Sequence, residues 1–113
     1  MLWLKNSGHE KVYILSTDVM LAQGIDHFVR VLVKMNRQFV WMERYCTLKA
    51  FIRLLPEKQV LRISKFYAVN TQRVSGFEPS GRQLTFDSAF TVTLGHRIEK
   101  YMCDILLAEI NVK

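Results

Sequence analysis

Short runs of apolar and β-branched residues, separated by polar turns, make up most of the chain. Runs of this kind are typical of β-strands, which favour branched and aromatic side chains. The runs at 28–33 and 38–42 flank Met35-Asn36-Arg37, so the sequence predicts a hairpin there. Loops or turns are also predicted at 23–27 and at 79–81. In order, the predicted strands are 12–15, 19–22, 28–33, 38–42, 60–63, 67–69, 73–77, 83–86 and 90–94.

Two segments change to a helical period. The first helix is predicted between Thr47, whose hydroxyl can cap it, and Pro56, which ends it. Its apolar stripe comprises Leu48, Phe51, Ile52 and Leu55. The second helix is predicted to start at His96, and its stripe comprises Ile98, Tyr101, Met102, Ile105, Leu106 and Ile110. The expected fold class is therefore mainly β, with one short internal helix and a C-terminal helix.

Length and charge narrow the class of protein. The 113 residues suffice for one domain, 1–113, with a modest core. There are 16 Lys and Arg against 10 Asp and Glu, a net charge of +6, and the isoelectric point is near 9.6. Such an excess suits a polyanionic partner, because neutralising phosphates releases counterions. A basic surface that only keeps the protein in solution fits the charge equally well.

The sequence gives little support for a zinc or redox protein, a secreted protein or a membrane protein. Cys46 and Cys103 fit no zinc or CxxC spacing, and we expect reduced cytosolic thiols in or near the core. The apolar start is too short for a signal peptide and no run is long enough for a membrane span, so a cytoplasmic location is expected.

The sequence also gives little reason to expect catalysis. The three histidines are widely separated, no glycine-rich phosphate loop precedes a helix, and no metal or cofactor is expected. A nucleophile–base pair at Ser64-Lys65 is disfavoured, since neighbouring residues on a strand point to opposite faces. We therefore do not expect an enzyme.

The segment 61–70 carries the most specific pattern. It reads L-R-I-S-K-F-Y-A-V-N, and it follows Leu54-Leu55-Pro56. It resembles the core signature of the LytTR family of bacterial DNA-binding domains, which contains R-I-H-R-S-Y-x-V-N. The residues in register with that signature are Arg62, Ile63, Tyr67, Val69 and Asn70. Ser64, Lys65 and Phe66 stand where His-Arg-Ser is usual, and a weaker resemblance extends from about 12 to 102.

The resemblance implies both a fold and a function. The fold would be an elongated stack of small antiparallel sheets with a short helix. The function would be sequence-specific binding of duplex DNA by a transcription regulator, with loops and strand ends in successive major grooves. Two copies would bind direct repeats on DNA, and the domain would resemble the output domain of a response regulator. A receiver domain or a protein antagonist, neither present in this chain, are partners that the family allows.

The resemblance also implies three places in this sequence that would contact DNA. They correspond to His27 or its neighbour Asp26, to Ser64 and Lys65, and to His96 and Arg97. At the third place the family usually has Pro-Val-Ser-Arg, whereas this chain has Thr93-Leu94-Gly95-His96. His96 takes the arginine's position and Arg97 lies one step beyond.

Each of these residues has an ordinary alternative. Lys65 can bind phosphate or guanine, or it can be a solvated loop lysine. For Arg62, contact with DNA and an internal salt bridge are equally supported alternatives. His27 can equally be an ordinary loop histidine. Arg97 is predicted in the first turn of a helix, where a positive charge is unfavourable because of the helix macrodipole. This electrostatic cost favours a functional over a structural role for Arg97.

Other conspicuous residues are interpreted as structural. Trp3, Phe28 and Trp41 are expected in the core more than as base-stacking rings. The side-chain amide of Asn70 is expected to hold a turn. Tyr67 and Val69 are expected to face the core.

Two rival functions remain open at this point. A protein-interaction module on a LytTR scaffold could have lost DNA binding, with Phe66 exposed on a loop as the contact. Binding of RNA or single strands without sequence preference is supported only by charge and aromatic content.

Overall fold

In the computed structural model, residues 1–80 and 82–112 are described, and they form ten β-strands and two α-helices. The strands are β1 (Leu2–Lys5), β2 (Lys11–Ile14), β3 (Val19–Ile25), β4 (Phe28–Met35), β5 (Gln38–Arg44), β6 (Val60–Arg62), β7 (Tyr67–Asn70), β8 (Val74–Glu78), β9 (Gln83–Phe86) and β10 (Phe90–Thr93). The helices are α1 (Leu48–Ile52) and α2 (Lys100–Asn111), and short 3-10 turns cover Ser16–Asp18 and Glu57–Gln59. The predicted mainly β fold with an internal and a C-terminal helix is confirmed.

The larger sheet is antiparallel and has the strand order β2-β1-β5-β4-β3-β7-β6. β3 pairs with its hairpin partner β4 on one side and with β7, far away in sequence, on the other. In the second pairing Gln23 lies opposite Tyr67 and Ala22 opposite Ala68. The segment with the family signature therefore forms most of the β6–β7 hairpin at one edge of this sheet.

The smaller sheet, in the order β10-β9-β8, and α2 cover part of one face of the larger sheet. α1 packs on the other face. β4 contributes to the core on both sides, because Val31 and Val33 face the α1 side and Leu32 faces the α2 side. This double burial explains why the run at 28–33 is almost continuously apolar.

Two strand predictions need correction. The predicted loop at 23–27 is wrong, because β3 continues to Ile25 and only Asp26 and His27 form the turn. Gln23 and Gly24 looked like loop residues, yet Gln23 has strand partners on both sides. β1 was missing from the predicted strands, although Leu2 and Leu4 are buried. The predicted turn at 79–81 includes residue 81, which lies outside the described residues.

Helix α1 begins where it was predicted to begin, whereas α2 begins later. The Thr47 hydroxyl accepts a hydrogen bond from the Ala50 N–H at 3.1 Å, so the predicted cap of α1 is confirmed. α2 begins at Lys100, four residues later than predicted. Its predicted stripe is only partly covered, since Tyr101 is 63% exposed and Ile105 is 42% exposed. The apolar stripe is wider than the neighbouring sheet can cover. Within the described residues, no helix combines the length and apolar character that crossing a membrane requires.

An ion cluster at Asp87 joins the two sheets. Asp87, in the β9–β10 turn, accepts hydrogen bonds from Arg73 at 2.8 Å and from Lys34 of β4 at 3.1 Å. Arg73 also donates to the Thr17 carbonyl at 2.8 Å and lies 3.7 Å from Asp18. The hydrogen bond from Arg73, followed by the one from Lys34, lowers the pKa of Asp87 to about 2, while partial burial opposes this shift.

Candidate nucleic-acid interface

The loop between β6 and β7 is held by its own hydrogen bonds. The Ser64 hydroxyl accepts from the backbone N–H groups of Phe66 at 3.1 Å and Tyr67 at 3.2 Å, which is a serine turn. Arg62 donates to the carbonyls of Ser64 at 3.2 Å and Lys65 at 2.9 Å. These bonds fix the backbone at the loop tip, so the exposed Lys65 projects from a defined position.

Arg62 braces the β6–β7 loop and, in the described part of the chain, does not form the internal salt bridge that was one of its two predicted roles. It is exposed, and among the described residues it forms no ion pair with a carboxylate, so the internal salt bridge is not found. Its guanidinium instead braces the loop through backbone carbonyls. Because carbonyls do not neutralise charge, the cation remains on the surface. Its contact with DNA stays a prediction.

Phe66 joins this loop to the segment before α2. Its ring stacks on the His96 imidazole, with 3.9 Å between ring centroids and an interplanar angle of 16°. Its carbonyl accepts from the Gly24 N–H at 2.8 Å. Phe66 is half-buried, so the expectation of an exposed phenylalanine on a loop is wrong. The aromatic ring is used inside the domain, where it docks one loop against another.

The segment 95–97 is anchored at both ends. Leu94 and Ile98 are buried, and His96 and Arg97 between them are exposed. The Tyr67 hydroxyl accepts from the Gly95 N–H at 2.7 Å. A Cβ at position 95 would lie 3.3 Å from that hydroxyl, so the close approach favours glycine here. The departure from the family pattern at Gly95 thus has a packing reason.

Two adjoining grooves collect most of the predicted contact residues. Arg62, Lys65 and Phe66 line both of them. The remaining named residues of the first groove are Ile63, Ser64, His96, Arg97, Glu99, Tyr101 and Met102. Those of the second are Gly24, Asp26, Thr47, Leu48 and Lys49. The fold thus brings Arg62, Ser64, Lys65, His96 and Arg97 to one place.

His27 does not share this placement. It is exposed in the β3–β4 turn and does not line either groove, whereas its neighbour Asp26 lines the second one. A DNA contact by His27 stays a prediction. Sequence reasoning missed Lys49 and Tyr101. Lys49 lies off the apolar stripe of α1, which was a usable signal, while Tyr101 was assigned to a buried face.

The grooves are predominantly cationic. Lys49, Arg62, Lys65 and Arg97 line them, and none of the four forms an ion pair with a carboxylate within residues 1–80 and 82–112. The acidic residues there are Asp26 and Glu99. Within the same described residues, no group of His, Cys, Asp and Glu side chains could hold a metal ion. The surface offers binding groups for an anion.

The residues interpreted as structural have mixed outcomes. The Asn70 amide donates to the Val19 carbonyl at 2.8 Å, and its oxygen accepts from the Gln72 N–H at 2.9 Å, which confirms its turn role. Tyr67 and Val69 are buried, as predicted.

The predicted core aromatics are only half-buried. Arg44 lies over the Trp3 ring at 3.9 Å and Arg30 over the Trp41 ring at 4.3 Å, so cations cover both indoles at the sheet surface. Phe28 lies 6.1 Å from the exposed Tyr45 ring.

Both cysteines are free, as expected. Cys103 is buried and Cys46 is half-buried. Burial raises the pKa of each thiol. Neither thiol has the lowered pKa of a reactive cysteine.

Comparisons with known proteins agree with this description. The model of the family described as the LytTr DNA-binding domain matches residues 9–106. Among solved structures, the chain is similar to the LytTr DNA-binding domain of a Bacillus cereus protein described as a methyl-accepting/DNA response regulator. That match has a TM-score of 0.69 and 16% identity, and it covers 96% of this chain and 94% of the other. A comparison with curated proteins gives no match. At this identity the structural match shows the fold alone, but the family model spans most of the chain. The chain therefore belongs to the LytTR family of DNA-binding domains, which is not an enzyme family.

Proposed function

We propose that this domain binds duplex DNA sequence-specifically, as a bacterial transcription regulator acting in the cytoplasm. The observation that carries the proposal is the convergence of three segments, distant in sequence, on one cationic surface. Lys65 comes from the β6–β7 loop, Arg97 from the segment before α2, and Lys49 from α1. Cations at this density suit phosphates and the acceptor edges of guanine.

The reading mode that we propose uses loops. Among the described residues, the grooves are lined by the first turns of α1 and α2 and by the loop tips 64–66 and 95–97. Lys65 projects from a braced loop, and His96 is held by its stack on Phe66. Pre-positioned side chains lose little conformational entropy on binding, which favours specific contacts.

The size of the domain matches about one turn of duplex DNA. Its longest dimension is 37 Å. One turn of B-form DNA is about 34 Å long. One copy is therefore long enough to lie along a full turn of the duplex, with the stacked tips 64–66 and 95–97 together at one major groove. Each correct base pair contributes about 1–3 kcal/mol, so we propose that two copies bind adjacent half-sites.

The rival function has lost its main support. A protein-interaction module was favoured by an exposed Phe66, and that ring is half-buried and stacked on His96. Input from a receiver domain or a protein antagonist outside this chain would be compatible with the DNA-binding proposal.

Selection from random duplexes tests the proposal directly. We expect one enriched motif, or two copies of it as a direct repeat, because fixed loop tips present the same donors to every duplex. Recovered pools are sequenced after several rounds with the purified protein. Absence of binding would refute the proposal. Binding that grows with duplex length without any motif would replace it with sequence-independent binding.

Salt dependence provides a second test. We expect the logarithm of the affinity to fall by about 0.9 per phosphate neutralised for each tenfold rise in salt. If Lys49, Arg62 and Arg97 each neutralise one phosphate, the slope is about −2.7 or steeper. Fluorescence anisotropy with a labelled duplex at several salt concentrations measures it. Affinity that does not change with salt would contradict the electrostatic basis of the proposal.

A further inference from the structure

A third groove continues the cationic surface beyond Arg97. Arg97 lines this groove as well as the first one, so the two are contiguous. Arg82, from the turn before β9, and Lys100, at the start of α2, are the other cations that line it. The acidic residue in this groove is Asp104. The strip of cations is therefore longer than the region that the family signature marks.

The fold fixes Arg82 next to the contact segment. The Arg82 carbonyl accepts from the Leu94 N–H at 2.8 Å, which places its backbone beside the buried residue that precedes the exposed segment 95–97. Arg82 has a φ of 53°, stabilised by the hydrogen bond from its N–H to the Pro79 carbonyl at 3.2 Å. The side chain is exposed, and within the described residues it forms no ion pair with a carboxylate.

Lys100 is also accessible to a ligand. Its amino group lies 3.6 Å from Asp104, and the two side chains are 90% and 65% exposed. A pair this exposed contributes little stability, so Lys100 can readily bind another anion in place of Asp104. Lys100 and Arg82 therefore present two cations on the far side of Arg97 from Lys65.

We propose that Arg82 and Lys100 bind backbone phosphates of the duplex, next to the contact made by the loop tips. This inference rests on the proposed function and extends the same binding surface. Phosphate is the ligand that fits best, since the groove presents exposed cations beside the loop tips. Such contacts set the orientation of a protein on DNA and carry no sequence information.

Charge-matched double variants separate this role from general electrostatics. The test pair is Arg82→Gln with Lys100→Gln, and the control pair is Arg53→Gln with Lys58→Gln. Arg53 and Lys58 are exposed and line none of the three grooves. Both double variants lower the net charge equally, so any difference between them reports the position of the charges. Thermal melts of all proteins show whether folding is intact.

We expect the test pair to weaken binding about five- to tenfold per substitution near 0.1 M salt, and to reduce the salt slope by about 0.9 per substitution. The loss should be equal for the selected site and for an unrelated duplex. The control pair should change neither affinity by more than about twofold.

The outcomes are distinguishable. If the parent binds duplex DNA and both double variants behave alike, the phosphate site is refuted while the proposed function stands. A loss confined to the selected site would also refute it, since it would show base contact. If the parent binds no duplex, the proposed function fails and the phosphate site fails with it.

Discussion

Replacing Lys65 by alanine should weaken binding to the selected site by about 1–3 kcal/mol while nonspecific binding stays nearly unchanged. The reason is the position of Lys65 at the tip of a loop whose backbone is held by Arg62 and Ser64. If Lys65 reads a base, its truncation removes discrimination between the selected site and other duplexes. A lysine that meets only phosphate loses affinity for every duplex and reduces the salt slope by about one.

Two neighbours and one distant residue are the controls. Arg97→Ala should cost more affinity than His96→Ala, because arginine is always charged and presents several donors in a fixed fork that suits phosphate and guanine. Arg53→Ala, outside the grooves, should bind as the parent does. Binding is measured by anisotropy, and unfolding by circular dichroism. If the Lys65, His96 and Arg97 variants all fold and bind like the parent, the assigned DNA surface is wrong.

Replacing Asp87 by alanine should lower the free energy of unfolding by about 2 kcal/mol at neutral pH. The substitution leaves Arg73 and Lys34 facing each other, and their side chains are only 24% and 29% exposed. It also removes hydrogen bonds that join the two sheets. Urea denaturation measures the change. Asp104→Ala, which breaks an exposed pair, is the matched control and should change stability by less than about 0.5 kcal/mol.

The effect of Asp87 should depend on pH. Its folded-state pKa is about 2, below the ordinary value of 3.8, so its contribution is fully present above about pH 5 and is lost as the pH falls towards 2. The shift corresponds to about 1–2 kcal/mol once partial solvent screening is allowed for. About half of that should be lost by pH 3. A difference between parent and variant that stays constant from pH 6 to pH 3 would contradict this assignment.

Local patterns predicted the local structure well. The turn between β4 and β5, the cap of α1 at Thr47 and the turn at Asn70 depend on neighbouring residues, and their chemistry is visible in the sequence. β3 was cut short because Gln23 and Gly24 are poor strand residues on their own. They are held in the strand by β4 and β7, and β7 lies more than 40 residues away.

The site was predicted only in part for the same reason. Resemblance to the family marked the three segments, but the contacts that assemble them are long-range. Phe66 stacks on His96, and the Tyr67 hydroxyl binds the Gly95 N–H. No local pattern shows that these contacts partly bury Phe66, or that Asp26 and not His27 lines the grooves.

The position of β3 between β4 and β7 also affects how the chain emerges during synthesis. The β3–β4 hairpin can form as soon as residue 35 is free, but β7 starts only at Tyr67. At about 5–20 residues per second, the other edge of β3 waits roughly 2–7 s for its partner. Through that interval an apolar strand containing Val19, Met20 and Leu21 has an open hydrogen-bonding edge, which invites pairing with another nascent chain. Aggregation during expression would begin there.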